Sequence, residues 1–107
     1  MTKISVFSQH FHADAKLIAY IESKLQRLNR FTQDPFRVEV YLKIQDTGAK
    51  IKDKIAEIRM ILPGNTIINK ETDKSFEAAI NIAADSLKRQ LSKIKEKKQS
   101  FSREKPA

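Results

Sequence analysis

The sequence contains no cysteine, and only two glycines and three prolines among its 107 residues. Without cysteine there is no disulfide framework, no thiol nucleophile and no thiolate metal site, a composition that fits a reducing cytosol. Two glycines leave no room for a glycine-rich phosphate cradle. No apolar run approaches the roughly 18 residues needed to span a bilayer. Met1-Thr2-Lys3-Ile4-Ser5-Val6-Phe7 lacks the longer apolar core of a signal peptide. No Ser-His-Asp order, P-loop or His-x-x-x-His spacing occurs, so the residues point away from an enzyme. His10 and His12 could share a metal on an extended segment. No cysteine or close carboxylate completes a ligand set, and the two read as surface or packing residues. The sequence implies no cofactor, no metal and no small-molecule substrate.

What the sequence has is positive charge, and it is unevenly placed. The net charge is +8. Residues 86–107 hold eight Lys/Arg against two Glu, whereas residues 1–85 hold thirteen against eleven acids. A polyanion is the partner this asymmetry suggests, either nucleic acid or an anionic membrane surface.

The length allows one domain with one core. Residues 3–8 read as a short strand, with Ile4 and Val6 on one face. Asp14 is a plausible N-cap for a helix over residues 15–30. Its apolar stripe is Leu17, Ile21, Leu25 and Leu28, with Ile18 on the edge. Asp34-Pro35 ends that segment. Residues 36–45 alternate, Val38, Val40, Leu42 and Ile44 facing one way and Arg37, Glu39, Tyr41 and Lys43 the other. A polar loop containing Gly48 leads to a second alternating strand, residues 54–62, with Ala56, Ile58, Met60 and Leu62 inward. Pro63-Gly64 suits the centre of a tight turn, followed by a weaker strand over residues 66–72. Ser75 can cap a helix over residues 76–97, whose stripe is Phe76, Ala79, Ile80, Ala83, Leu87, Leu91 and Ile94.

The pattern β-α-β-β-β-α predicts an α+β fold in two layers, both helices on one face of a four-stranded mixed sheet. The first strand should lie parallel to the second through a crossover, the rest forming antiparallel hairpins. Residues 1–98 form the single expected domain, and residues 99–107 a flexible polar tail.

On the first helix, Lys16, Lys24, Arg27 and Arg30 fall within an arc of roughly 120° at about 100° per residue, with Tyr20 inside it and Glu22 on the far flank. On the second, Lys88 and Lys95 flank one side of the apolar stripe, Arg89 and Lys93 the other. Lys97 and Lys98 rotate onto the stripe itself, where the helix must be leaving the core. A charge run on a helix is usually only a solvated face. Two one-signed faces on the same side of a sheet favour phosphate binding, with Tyr20 a candidate for base stacking. Lys50, Lys52 and Lys54 could extend the patch, diluted by Asp46 and Asp53. The outward strand residues Arg37, Tyr41, Lys43 and Arg59 mix with Glu39 and Glu57, and that face reads as merely wet. A membrane-surface role is disfavoured, because the core already requires the apolar stripe.

Several segments together resemble the ribosome hibernation-promoting factor family. They are Ile21-x-x-Lys24-Leu25-x-x-Leu28, Leu62-Pro63-Gly64, Phe76-Glu77-Ala78-Ala79-Ile80 and Leu87-x-Arg89-Gln90-Leu91-x-Lys93-x-Lys95. The likeness covers about residues 3–98. It implies a protein that enters the small ribosomal subunit in stationary or stressed cells, occupies the channel of messenger and transfer RNA, and silences translation. It also implies RNA-contacting cations on both helices, with Lys24, Arg27, Arg89, Lys93 and Lys95 at matching positions. The chain departs from the family's habits at Ile18, where many members carry Arg, at Asn81, where Asp is usual, and at Ser86, where Lys is common. Long members have a further C-terminal domain, so this chain resembles the short form, and its brief tail leans towards the kind that assists ribosome pairing.

The expectation is a cytoplasmic, non-enzymatic translation inhibitor, monomeric when free, bound to ribosomal RNA of the small subunit and not to membranes. The residues expected to contact RNA are Lys16, Tyr20, Lys24, Arg27, Arg30, Lys88, Arg89, Lys93, Lys95 and Lys97. A generic double-stranded RNA-binding module, whose α-β-β-β-α core is similar in outline, is the alternative.

Overall fold

A computed structural model describes residues 3–9, 11–33, 35–45, 48 and 53–104, with side chains described as far as Ile94. His10, Asp46, Lys50 and Lys52, and the side chains of Lys95, Lys97 and Lys98, lie outside the described set.

The elements are β1 (Lys3–Gln9), α1 (Ala15–Gln26), a 3-10 turn (Arg27–Arg30), β2 (Arg37–Gln45), β3 (Asp53–Leu62), β4 (Asn65–Asp73) and α2 (Phe76–Glu104). The sheet order is β1-β2-β3-β4. β1 pairs parallel with β2, and the two later pairings are antiparallel. This is the expected α+β architecture, with both helices on one face.

Local chemistry sets the helix starts. The Asp14 carboxylate accepts from the Leu17 N–H at 2.8 Å, and the Ser75 hydroxyl accepts from the Ala78 N–H at 3.1 Å. Each satisfies one of the amides that a first helical turn leaves without a partner. Gly64 has φ 75 in the tight connection between β3 and β4, a left-handed conformation that costs glycine nothing sterically.

The register lines up the apolar parity of each strand. Ile4, Val38, Met60 and Ile67 form one row across all four strands, and Val6, Val40 and Ile58 the next. Against these rows pack Leu17, Ile21, Leu25 and Leu28 from the first helical segment, and Phe76, Ala79, Ile80, Ala83, Leu87 and Leu91 from α2. Ala84, absent from the expected stripe, is also buried. Phe11, in the β1–α1 connection, stacks on Phe76 with ring centroids 5.0 Å apart, tying that connection to the start of α2.

Two contacts fix the helix directions. Tyr20 meets Asn81, and eleven residues further on Phe31 meets Lys88, seven further along α2. The helices therefore run side by side in the same direction.

Three expectations need correction. The first helix is α-helical only to Gln26 and tightens to a 3-10 turn over Arg27–Arg30. There the Phe31 N–H donates to the Leu28 carbonyl, and the Asn29 side chain donates to the Gln26 carbonyl. The second helix continues to Glu104, seven residues past its expected end. The outward sheet face is more than wet: Ile55 is buried there, Phe7 stacks on Tyr41, and Ile68 is 54% exposed.

Leu87 is fully buried between α2 and the sheet. Leu87→Ala is expected to lower unfolding stability by about 2–5 kcal/mol. Asp14→Ala should cost about 1 kcal/mol, the value of a lost cap. Urea unfolding followed by circular dichroism measures both.

Candidate nucleic-acid interface

The helical layer turns its outer side to solvent, and the cations lie there. Lys16, Arg27, Arg30, Arg89 and Lys93 are exposed, and Lys24 and Lys88 half-buried. Because Arg27 and Arg30 lie on a 3-10 turn, with about three residues per turn, they stand one above the other. That alignment is tighter than the α-helical phase gives. Among the described residues none of these seven cations forms a salt bridge; the ion pairs described are Arg59–Glu57 and Lys74–Asp53.

The parallel helices bring most of these cations to one level of the helical layer. Lys24, Arg27 and Arg30 occupy the end of the first helical segment, level with Lys88 and its neighbours on α2. Glu77 lies near the start of α2 and Asp14 caps the start of α1, whereas the exposed Asp85, one turn before Lys88 and Arg89, stands among the cations. The helix dipole alone accounts for cations at the end of α1, where its negative pole lies. It does not account for Lys88, Arg89 and Lys93, which stand eleven or more residues before the end of α2. Their unpaired charge is suited to an external polyanion.

Tyr20 and Asn81 join the two helices. The Tyr20 hydroxyl donates to Asn81 Oδ1 at 2.5 Å, and the ring packs half-buried against the core. Lys88 is also engaged within the fold, its ammonium lying 5.5 Å from the centroid of the Phe31 ring, a cation–π contact. Gln90, on the other flank of α2, accepts from Asn69 of β4 at 2.8 Å. Neither Phe31 nor Asn81 was a candidate from the sequence. Phe31 follows the last apolar repeat of the helix, and a single Asn carries no signal of a partner sixty-one positions away.

His12 is exposed, and no group of three metal-ligating side chains occurs among the described residues. Ile18 is half-buried and packed on the core. No described helix is long and apolar enough to cross a membrane.

Residues 4–99 match the family described as Sigma 54 modulation protein / S30EA ribosomal protein. The chain belongs to this family. It is similar to the ribosome hibernation promoting factor of Pseudomonas putida, 31% identical over 99 residues that make up 92% of each chain. It is also similar to the ribosome hibernation promotion factor of Deinococcus radiodurans, 36% identical over 76 residues, 71% of this chain and 40% of that one. Among solved structures, the N-terminal domain of Thermus thermophilus Protein Y superposes with a TM-score of 0.75 at 29% identity, covering 88% of this chain and 99% of that one.

Tyr20→Phe keeps the packed ring and removes only the hydroxyl, leaving Asn81 without its donor. A loss of about 1 kcal/mol in stability is expected, read as a lower urea midpoint at unchanged slope.

Proposed function

We propose that this protein is a ribosome-associated translation inhibitor. It binds the small ribosomal subunit in the channel used by messenger and transfer RNA, and promotes ribosome hibernation in stationary phase or under stress. The observation that carries the reading is the convergence of cations from two parallel helices at one level of the helical layer, none of them in a salt bridge among the described residues. Family membership and the relatives named for ribosome hibernation support a ribosome-binding, translation-modulating role.

The mechanism is occupancy. A small, rigid two-layer wedge needs no chemistry to block a channel. It needs shape, and enough positive charge to offset the close-packed phosphates lining the space. Lys16, Lys24, Arg27, Arg30, Lys88, Arg89 and Lys93 supply that charge from the helical layer, and Lys95 and Lys97 extend it along α2. Lys88 binds phosphate while held at a defined height by Phe31. Tyr20 acts chiefly by holding the two cationic helices at fixed spacing. The site of action is the cytoplasm, where ribosomes work, and the free protein is monomeric.

Each phosphate neutralised releases condensed counterions, so affinity for vacant small subunits should fall steeply with salt. With six or more contacts, the loss is on the order of a thousandfold between about 50 and about 200 mM salt, by analogy with duplex DNA. A flat salt profile would sink the electrostatic mechanism. Arg89→Glu combined with Lys93→Glu should abolish co-sedimentation with ribosomes while leaving the circular dichroism spectrum unchanged, since both side chains are exposed. Equal affinity for a plain RNA duplex and for ribosomes would identify a generic duplex-binding module instead.

A further inference from the structure

The face of the sheet opposite the helices carries an ordered stack that the helical interface does not use. Phe7 of β1 stacks on Tyr41 of β2, with ring centroids 5.1 Å apart and planes inclined by 21°. The Arg59 guanidinium of β3 lies 4.9 Å from the centroid of the same Tyr41 ring. β2 lies between β1 and β3, so Phe7 and Arg59 approach Tyr41 from opposite sides. Arg59 is held in place by Glu57, to which its Nε donates at 2.7 Å. That hydrogen bond, reinforced by the carboxylate charge, raises the Arg59 pKa above its ordinary value. The Tyr41 hydroxyl donates to Glu39 at 3.2 Å.

Tyr41 is thus covered on both sides, but Phe7 is not. It lies on an edge strand, is 48% exposed, and has Tyr41 as its sole ring partner among the described residues. Its second π-face points away from the stack, towards the sheet edge. Ile68 adds an exposed apolar surface on the same face. Around this stack the outward positions of the strands carry Lys3, Arg37, Lys43 and Lys70, none in a salt bridge among the described residues, against Glu39, which accepts from the Tyr41 hydroxyl, Glu57, paired with Arg59, and Asp53, paired with Lys74, so cations outnumber acids on the face. The face is therefore complementary to an anionic chain bearing flat rings.

We propose that this sheet face is a second RNA-binding surface, one that takes single-stranded RNA by stacking a base on Phe7. Surface aromatics on a four-stranded sheet, opposite its helices, are an established way of holding unpaired bases. The preassembled Phe7–Tyr41–Arg59 stack presents the ring rigidly, and the surrounding cations serve the backbone. The site is independent of the helical cations, and it holds whether or not those cations bind the ribosome.

Fluorescence anisotropy of the full chain with labelled oligouridine and oligoadenosine of about eight nucleotides tests it, that length lying within the site sizes of single-strand binders. The measurement is made in the wild type and in the Arg89→Glu, Lys93→Glu background, which weakens the helical site. Phe7→Ala should weaken binding about tenfold or more in both backgrounds, as loss of one stacked base does. Phe7→Leu should weaken it comparably, and Phe7→Trp should retain it. Circular dichroism verifies the fold of each variant. The proposal is overturned if the wild type binds neither oligonucleotide, if Phe7→Leu binds as the wild type does, or if the helical substitutions alone remove all binding. Self-association that depends on Phe7, seen by sedimentation in place of RNA binding, assigns the face to a second copy and equally overturns it.

Discussion

The parallel pairing of β1 with β2 is the constraint on which the remaining structure depends. A parallel neighbour requires the chain to return to the starting edge before the second strand begins, and α1 is that return. Two antiparallel hairpins then carry the chain through β3 and β4, so β4 points the same way as β2. The helix that follows must run back across the same face in the same direction as α1. The seam of Leu17, Ile21, Leu25, Ile80, Ala83 and Leu87 then fixes both helices against the rows centred on Val38, Val40, Ile58 and Met60.

From that geometry the electrostatics follow. Cations near the end of one helix would be a minor feature, partly accounted for by its dipole. Because the helices are parallel, Lys24, Arg27 and Arg30 come level with Lys88, Arg89 and Lys93. Tyr20–Asn81 and Phe31–Lys88 span the gap between the helices, one polar and one cation–π contact, and hold the two rows of charge in register. The acceptor of the Tyr20 hydroxyl is the neutral amide of Asn81. The inter-helix tie therefore brings no negative charge into the cationic layer.

The fold was legible because its signals are local and periodic. Alternation in β2 and β3, helical spacing in the two stripes, and the caps at Asp14 and Ser75 each require only a few neighbouring residues. The cationic faces were legible for the same reason, since helical phase alone places Lys16, Lys24 and Arg27 on one side. The 3-10 turn was not, because the apolar spacing from Leu25 to Leu28 suits either helix type and the tightening depends on the Asn29 and Phe31 contacts. The end of α2 was missed because rotation of Lys97 and Lys98 onto the apolar stripe says where core packing stops, not where the helix does. The Phe7–Tyr41–Arg59 stack was illegible for a different reason. Parity puts all three residues on the outward face, but only the register, Phe7 opposite Tyr41 and Arg59 two residues beyond Tyr41's partner Glu57 on β3, brings them into contact.

The two proposed surfaces would divide RNA recognition between different physics. The helical face acts through net charge, with long flexible side chains, no sequence preference and a strong response to salt. The sheet face would act through a preassembled ring, with short range, and with cations around it for the backbone. Attraction by the helical face alone grows with any dense array of phosphates, so charge by itself does not distinguish a ribosomal channel from a plain duplex. A stacking surface on the opposite side demands an unpaired base facing away from the phosphates that hold the helices. Only a site with RNA on both sides of the wedge, paired on one and unpaired on the other, satisfies both faces at once.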